Sequence, residues 1–231
     1  VGLKLGRDQG GARRIMSTAT EKDRRSLAEQ AYHIICDWLV TLQIRPGSPI
    51  NDEQVANELG LGRTPVREAL KRLESDRLVV AYPRRGTFAT EVHITDLGHI
   101  SEVRQQLEPL AAASAARRMT RSDRADLEAL LAELDSDASN DVRELIGLDM
   151  RVHRAIYAAA HNPYLEDTLI QYDNLATRIW CLFVDRLPGL AGHVGEHGAL
   201  LRAVVDGDAN MAADLAAGHV AGFESAIRKI I

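Results

Sequence analysis

Residues 51–78, NDEQVANELGLGRTPVREALKRLESDRL, constrain the fold more than any other stretch. Two apolar ladders follow one another closely: Val55, Ala56 and Leu59, then Val66, Ala69, Leu70 and Leu73. Recurrence at three and four residues marks the inner face of an amphipathic helix. Only a few residues around Gly60-Leu61-Gly62 separate the ladders, so two short helices must meet across a tight turn. Asn51 is placed to cap the first helix, with Gln54 in capping-box spacing, and Gly60 is placed to close it. Thr64 is the expected N-cap of the second, with Pro65 at its first helical position. That helix is expected to run to about residue 76.

The flanks extend the pattern. From Ser26, Leu27, Ala31, Ile34, Ile35, Trp38, Leu39 and Leu42 define a preceding helix, stopped by Arg45-Pro46-Gly47. After it, LVVAYPRRGTFAT holds two β-rich pieces, 78–82 and 87–90, around a Pro-Arg-Arg-Gly tip. Helix, helix, tight turn, helix and hairpin is the order of a winged helix-turn-helix. Residues 24–92 are its expected extent.

Charge gives this unit a purpose. Arg63 and Arg67 sit in the opening turn of the third helix, where the macrodipole favours acidic groups. Their negative partner is expected from outside the chain. DNA phosphate suits a helix N-terminus, and an arginine fork matches guanine O6 and N7. Residues 63–86 carry seven basic side chains against three acidic, whereas residues 94–231 carry thirteen against twenty-one. A basic island on an acidic body is a local footprint for an anionic polymer.

From Ile94 onward only helical periodicity appears. Six helices are expected, at about 94–118, 122–138, 141–160, 163–187, 190–206 and 208–229, joined by short breaks. An antiparallel helical bundle over 94–231 follows. The fold class is therefore mainly α, with a small β-hairpin wing. No apolar run nears the roughly 20 residues that span a bilayer, and no phosphate-binding glycine loop or nucleophile elbow is present. Cys36 and Cys181 form no motif and read as small core residues, which suits a reducing cytoplasm. Residues 1–23 lack periodicity and are expected to form a flexible arm. Met16 opens a more ordinary N-terminus and is an alternative start.

A second constellation lies in the bundle. Asp149 and His153 are four apart on one helix face, and His197 and His219 come later. Three imidazoles and a carboxylate could surround a divalent ion. Spacing alone leaves open that each is an ordinary core or surface residue.

The run NDEQVANELGLGRTPVREALKRLESDRLVVAYPRRGTF resembles the DNA-binding domain of GntR-family bacterial transcription regulators. The resemblance implies that Arg63, Thr64 and Arg67 contact operator bases or phosphates, and that Arg85 and Gly86 form the wing tip in the groove. Glu53 departs from members that carry arginine there. The helical remainder resembles the FadR-type subfamily with an FCD ligand-binding domain. Its D-x-x-x-H, E-H-x-x-(L/I) and final His are matched by Asp149 and His153, by Glu196-His197-Gly198-Ala199-Leu200, and by His219. The resemblance implies a metal-containing branch, with zinc, nickel or manganese as the ion. It also implies an effector site with Arg104 facing the cavity, although a solvated surface arginine is the plain alternative. Arg178 and Trp180 are further lining candidates, Trp180 equally a core residue. Glu108 and the alanine run 111–116 read as structural.

The expected function is a homodimeric, non-enzymatic regulator on a palindromic DNA operator, a repressor released by a small carboxylate held at the metal. A metal-sensing regulator and a metalloenzyme are the alternatives.

Overall fold

The computed structural model describes residues 21–136, 141–186 and 190–230. Met16 and most of the expected arm lie outside them. Glu21–Asp23 already belong to the first helix, α1 (Glu21–Val40). Of its expected inner face, Ala31, Ile35 and Leu39 are buried, Leu27, Trp38 and Leu42 are half-buried and Ile34 is exposed, while Cys36 joins the buried side. The helix stops earlier than Arg45-Pro46-Gly47: Leu42 turns left-handed at φ 58°.

Next come β1 (Pro49–Ile50), α2 (Asp52–Leu59) and α3 (Arg63–Ser75). Asn51 caps α2 as expected, its side chain accepting from the Glu53 and Gln54 amides, and Gly60 closes it at φ 65°. The start of α3 corrects the sequence reading. Gly62, not Thr64, is the N-cap and makes no side-chain cap bond. Thr64 and Pro65 lie inside the first turn, where a missing N–H costs no helix bond. Val66, Ala69, Leu70 and Leu73 are buried, so the ladder itself holds.

The wing is β2 (Val79–Tyr82) and β3 (Gly86–Ala89), each within a residue or so of expectation. The Arg85 amide donates to the Tyr82 carbonyl at 3.1 Å, closing a turn with Pro83 at its second position and Arg84 at φ 64°. A third strand escaped the sequence reading. β1 pairs antiparallel with β3, giving the order β1-β3-β2. Two residues carry too little alternation to announce a strand.

Six helices follow: α4 (Asp96–Arg118), α5 (Arg121–Ser136), α6 (Val142–Ala159), α7 (Pro163–Phe183), α8 (Leu190–Val205) and α9 (Ala209–Arg228), with a 3-10 turn Val184–Arg186 after α7. Expected positions 137–138 and 187 lie outside the described residues. Asp141, Asn162 and Asp208 cap α6, α7 and α9. Helix α4 packs against α6, α7, α8 and α9. Its buried run Ala111–Ala116 lets neighbours approach closely, as expected. Pro109 sits inside this helix and leaves the Gln105 carbonyl without its usual donor.

The two units share a seam. Ile146 and Met150 of α6 belong to the apolar cluster of the N-terminal unit, with Leu175, Cys181 and Val184 packed against it. Cys36 is buried and Cys181 half-buried, and both thiols are free. Burial pushes each up to about 12.

Two glycines separate backbone strain from helix propensity. An added Cβ meets nothing within 4 Å at Gly60 or Gly147. Only Gly60 is left-handed. Urea unfolding should show Gly60→Ala losing about 1–2 kcal/mol. Gly147→Ala, inside α6, should gain up to about 1 kcal/mol.

Candidate metal centre and nucleic-acid interface

The first turn of α3 presents Arg63, Thr64 and Arg67 to solvent. Both arginines bind one carboxylate. Arg63 Nη2 donates to Asp52 at 3.1 Å, and Arg67 Nε also donates to Asp52. Arg63 also lies 3.7 Å from Glu53. The Arg67 hydrogen bond leads the causes holding the Asp52 carboxyl below its ordinary value. Arg72 is used elsewhere. It pairs with Glu29 and lies over the Tyr32 ring at 3.9 Å. At the wing tip Arg85 and Gly86 are exposed, with Gly86 at φ 95°. Guanidinium groups are thus exposed both on α3 and on the wing, and Asp52 at the start of α2 holds the α3 pair.

The second site lies inside the bundle. Asp149 and His153 on α6, His197 on α8 and His219 on α9 are all buried. One donor atom from each lies within 4.8 Å of every other. The sequence foresaw all four residues; the fold brings the three helices together.

Their partners set the imidazole tautomers. His197 Nδ1 meets the Val194 carbonyl at 3.1 Å. His153 Nδ1 meets the Tyr157 hydroxyl at 3.0 Å and Glu108 at 3.5 Å. His219 Nδ1 meets Glu196 at 3.2 Å. In the tautomers that these partners favour, each Nδ1 carries the proton and each Nε2 keeps its lone pair. The Nε2 atoms of His153 and His197 face each other at 3.2 Å, and Asp149 Oδ1 has no hydrogen-bond partner. Bare lone pairs converging on an unpartnered carboxylate oxygen are the donor set a divalent cation takes.

Charge points the same way. Arg104, nine-tenths or more buried, holds Glu108 at 2.5 Å and Asp173 at 3.2 Å. The solvated-surface alternative for Arg104 is therefore excluded, and Glu108 is part of this centre rather than a bystander. With Asp149 there are three buried carboxylates against one guanidinium. Two negative charges remain, which one divalent cation would balance. Without it, burial and neighbouring acids push the Asp149 carboxyl well up. Burial pushes the Glu108 and Asp173 carboxyls up against the pull of Arg104. Burial holds His153, His197 and His219 far below the ordinary imidazole value.

His193 was not foreseen. It stacks on His219, ring centroids 4.1 Å apart, and meets the edge of Trp180. Burial and then Arg104 lower its imidazole to about 4. Its position four before His197 repeats the Asp149–His153 spacing, which is the signal that could have found it. The cavity beside the donors is lined by Arg104, Asp173, Thr177, Trp180 and His193 among others, and holds about 10 Å³. That is room for one water or ion. Trp180 is both core and lining.

Arg178 corrects its assignment. It turns away from this cavity to Thr90, donating to Oγ1 at 2.6 Å and to the carbonyl at 2.8 Å. It lies instead on a cleft of about 850 Å³ between the wing and α4–α7, which Arg85 also lines.

Comparison with known proteins places the chain's two domains in known families. Residues 27–89 match "Bacterial regulatory proteins, gntR family" and residues 99–222 match "FCD domain". The galactonate operon transcriptional repressor of Escherichia coli is 31% identical over 191 residues, 71% of this chain and 81% of that protein. The E. coli regulator McbR is 32% identical over 129 residues, 55% of this chain and 58% of its own. YdhC of Bacillus subtilis is 29% identical over 63% of this chain and 66% of its own. The chain thus spans less than two thirds of these last two. The solved structure of E. coli McbR/YncC superposes with a TM-score of 0.76 at 25% identity, covering 88% of this chain and 97% of that one. A GntR transcriptional regulator from Rhodococcus sp. RHA1 shares the fold at TM-score 0.68. These relatives are transcriptional regulators by name, not enzymes.

The pKa directions predict the proton balance of metal loading. At pH 7 the imidazoles are already neutral, because burial lowers them. Burial and the neighbouring acids raise Asp149, which favours its protonated form, and a cation taking the carboxylate displaces that proton. Zinc titrated calorimetrically in buffers of differing ionisation enthalpy should therefore release protons. Asp149→Asn should abolish most of that release. Affinity should fall as pH falls, since protons compete for the carboxylate and then the imidazoles.

Proposed function

The chain belongs to the gntR family of bacterial regulatory proteins, in the branch with an FCD domain, and on that footing we propose that it is a ligand-responsive repressor of transcription in the cytoplasm. The observation that carries the DNA-binding part is the exposed pair Arg63 and Arg67 at the start of α3, with Arg85 exposed on the wing. Helix α3 enters the major groove and its first turn reads base edges. The protein works as a homodimer on a palindromic operator, because two copies of one recognition helix read two matching half-sites.

Asp149, His153, His197 and His219 hold a divalent ion, zinc first among candidates. When bound it supplies an electropositive anchor for a small carboxylate. Arg104 and Trp180 flank that anchor, and Arg104 adds a second cation. The effector releases the operator by binding the two conformations with unequal affinity. A cavity of about 10 Å³ admits no organic acid until its walls move, so effector entry and conformational change are one event. The same volume favours a second reading, in which the metal itself is the signal.

The experiment is a thermal-shift screen of the zinc-loaded protein against small carboxylates, with His197→Ala alongside. Zinc at a hundred times Kd should add about 2.7 kcal/mol of stability, lost in the variant. A carboxylate shift that needs His197 supports the effector reading. Operator binding that tracks free zinc with no carboxylate response favours the metal sensor. For the DNA part, an operator selected from a random duplex pool should bind Arg67→Ala about 1–3 kcal/mol more weakly. Unchanged affinity in a gel-shift titration would remove Arg67 from base readout.

A further inference from the structure

Helix α7 has two working faces. Asp173, Thr177 and Trp180 turn toward the metal-centre cavity, and Asp173 binds Arg104 there. Gln171, Asn174 and Arg178 turn toward the N-terminal unit. At 3.6 residues per turn the two sets are roughly 130° apart. Helix α6 is arranged similarly: Asp149 and His153 reach the centre, while Ile146 and Met150 join the N-terminal core.

The second face of α7 meets the far end of the recognition helix. Gln171 Nε2 donates to the carbonyl of Ser75, the last residue of α3, at 3.1 Å. Helix ends leave their final carbonyls unsatisfied, so this amide completes α3 from another domain. Arg178 works through Thr90. The Thr90 hydroxyl accepts from Arg178 and lies 2.9 Å from the Arg77 carbonyl and 3.1 Å from that of Leu78. The Thr90 amide also donates to Leu78 at 3.0 Å. One threonine thus ties α7 to the two residues that join the recognition helix to the wing. Asn174 adds a contact to Cys36 on α1 at 3.5 Å.

Arg178 is an expensive fastener. It is 1% exposed, its Nε has no partner, and a threonine rather than a carboxylate holds its guanidinium. Burying a cation with so little compensation adds little stability. It suits a joint with two arrangements of similar energy.

We infer that Gln171 and Arg178 are positioning residues for the recognition helix, fastening the carbonyls of Ser75 directly and of Arg77 and Leu78 through Thr90, so that changes at Asp173 on the opposite face of α7 reach the DNA-reading surface. This rests on the proposed function only for what perturbs Asp173 in the cell. The fastening exists whether the perturbing ligand is a metal or an organic acid.

The test reads amide hydrogen exchange in the full chain, with no operator needed. Asp173→Asn perturbs the cavity face of α7; Thr177→Val replaces it if that variant lacks a cooperative melt. Each is made in the parent and in a Thr90→Val, Gln171→Met background, with Thr90→Ser as the hydroxyl-retaining control. In the parent and in Thr90→Ser, the perturbation should change exchange at residues 73–79 about fivefold or more. In the Thr90→Val, Gln171→Met background only the backbone links Arg178–Thr90 and Thr90–Leu78 remain, so that response should fall severalfold while α4 and α7 still respond. No response at 73–79 in the parent, or an equal response in the double variant, overturns the inference. Zinc serves as a separate arm. If it fails to protect α6, α8 and α9, the metal reading fails, and the Asp173 comparison still decides the fastening.

Discussion

Three carboxylates share the dry centre of the helical bundle with one guanidinium, and much of the molecule is arranged around that imbalance. Glu108 and Arg104 come from α4, Asp149 from α6 and Asp173 from α7. Ionised carboxylates are costly in such surroundings unless paired. Arg104 compensates part of the cost through two short contacts. The rest falls to protons or to a cation, and the three imidazoles beside Asp149 favour the cation. Their Nδ1 atoms are bound to Val194, Tyr157 with Glu108, and Glu196, which leaves Nε2 lone pairs turned to one another. A polar centre like this does little for net stability. It makes the bundle sensitive to what occupies it.

That sensitivity matters because the helices that build the centre also support the N-terminal unit. Ile146 and Met150 of α6 complete an apolar cluster whose other members come from α1 to β3. Along α7, side chains a few residues apart reach either the cavity or the recognition helix. A packed interface of this kind moves in discrete steps rather than continuously. A change of charge or volume at the centre therefore has a mechanical route to α3 and the wing. At the other end of α3, Asp52 gathers Arg63 and Arg67 before any DNA arrives. Preorganising two long side chains reduces the entropy they lose on binding.

Much of this was legible in the chain. The period of Val66, Ala69, Leu70 and Leu73 located α3 because burial of one stripe requires it. Asn51 and Gly60 marked the ends of α2 because an Asn side chain can accept from free helix amides and a residue without a Cβ can turn left-handed. Thr64 misled because a Thr-Pro pair suits both a cap and a first turn. β1 was silent because two residues have no measurable alternation. Asp149, His153, His197 and His219 were picked out by residue type and spacing, which are ambiguous alone, and the family resemblance then implied their role. Glu108, Asp173 and His193 were missed, although Arg104 with Glu108 and His193 with His197 both show the four-residue spacing of one helix face.

By itself the sequence determined the local elements, the basic island beside an acidic body, and the residue types able to hold a metal. Periodicity, capping and charge act over a few residues and can be read in order. Only the tertiary structure decided which face each polar residue of the bundle presents. Arg104 turned inward to two carboxylates, and Arg178 turned across the domain seam to Thr90. Both are arginines on bundle helices, and although Glu108 follows Arg104 by four residues, nothing local says whether that pair faces the core or solvent. Their roles are decided by distant partners, Asp173 for Arg104 and Thr90 for Arg178. Local rules cannot supply such long-range pairings, which follow from how the helices pack.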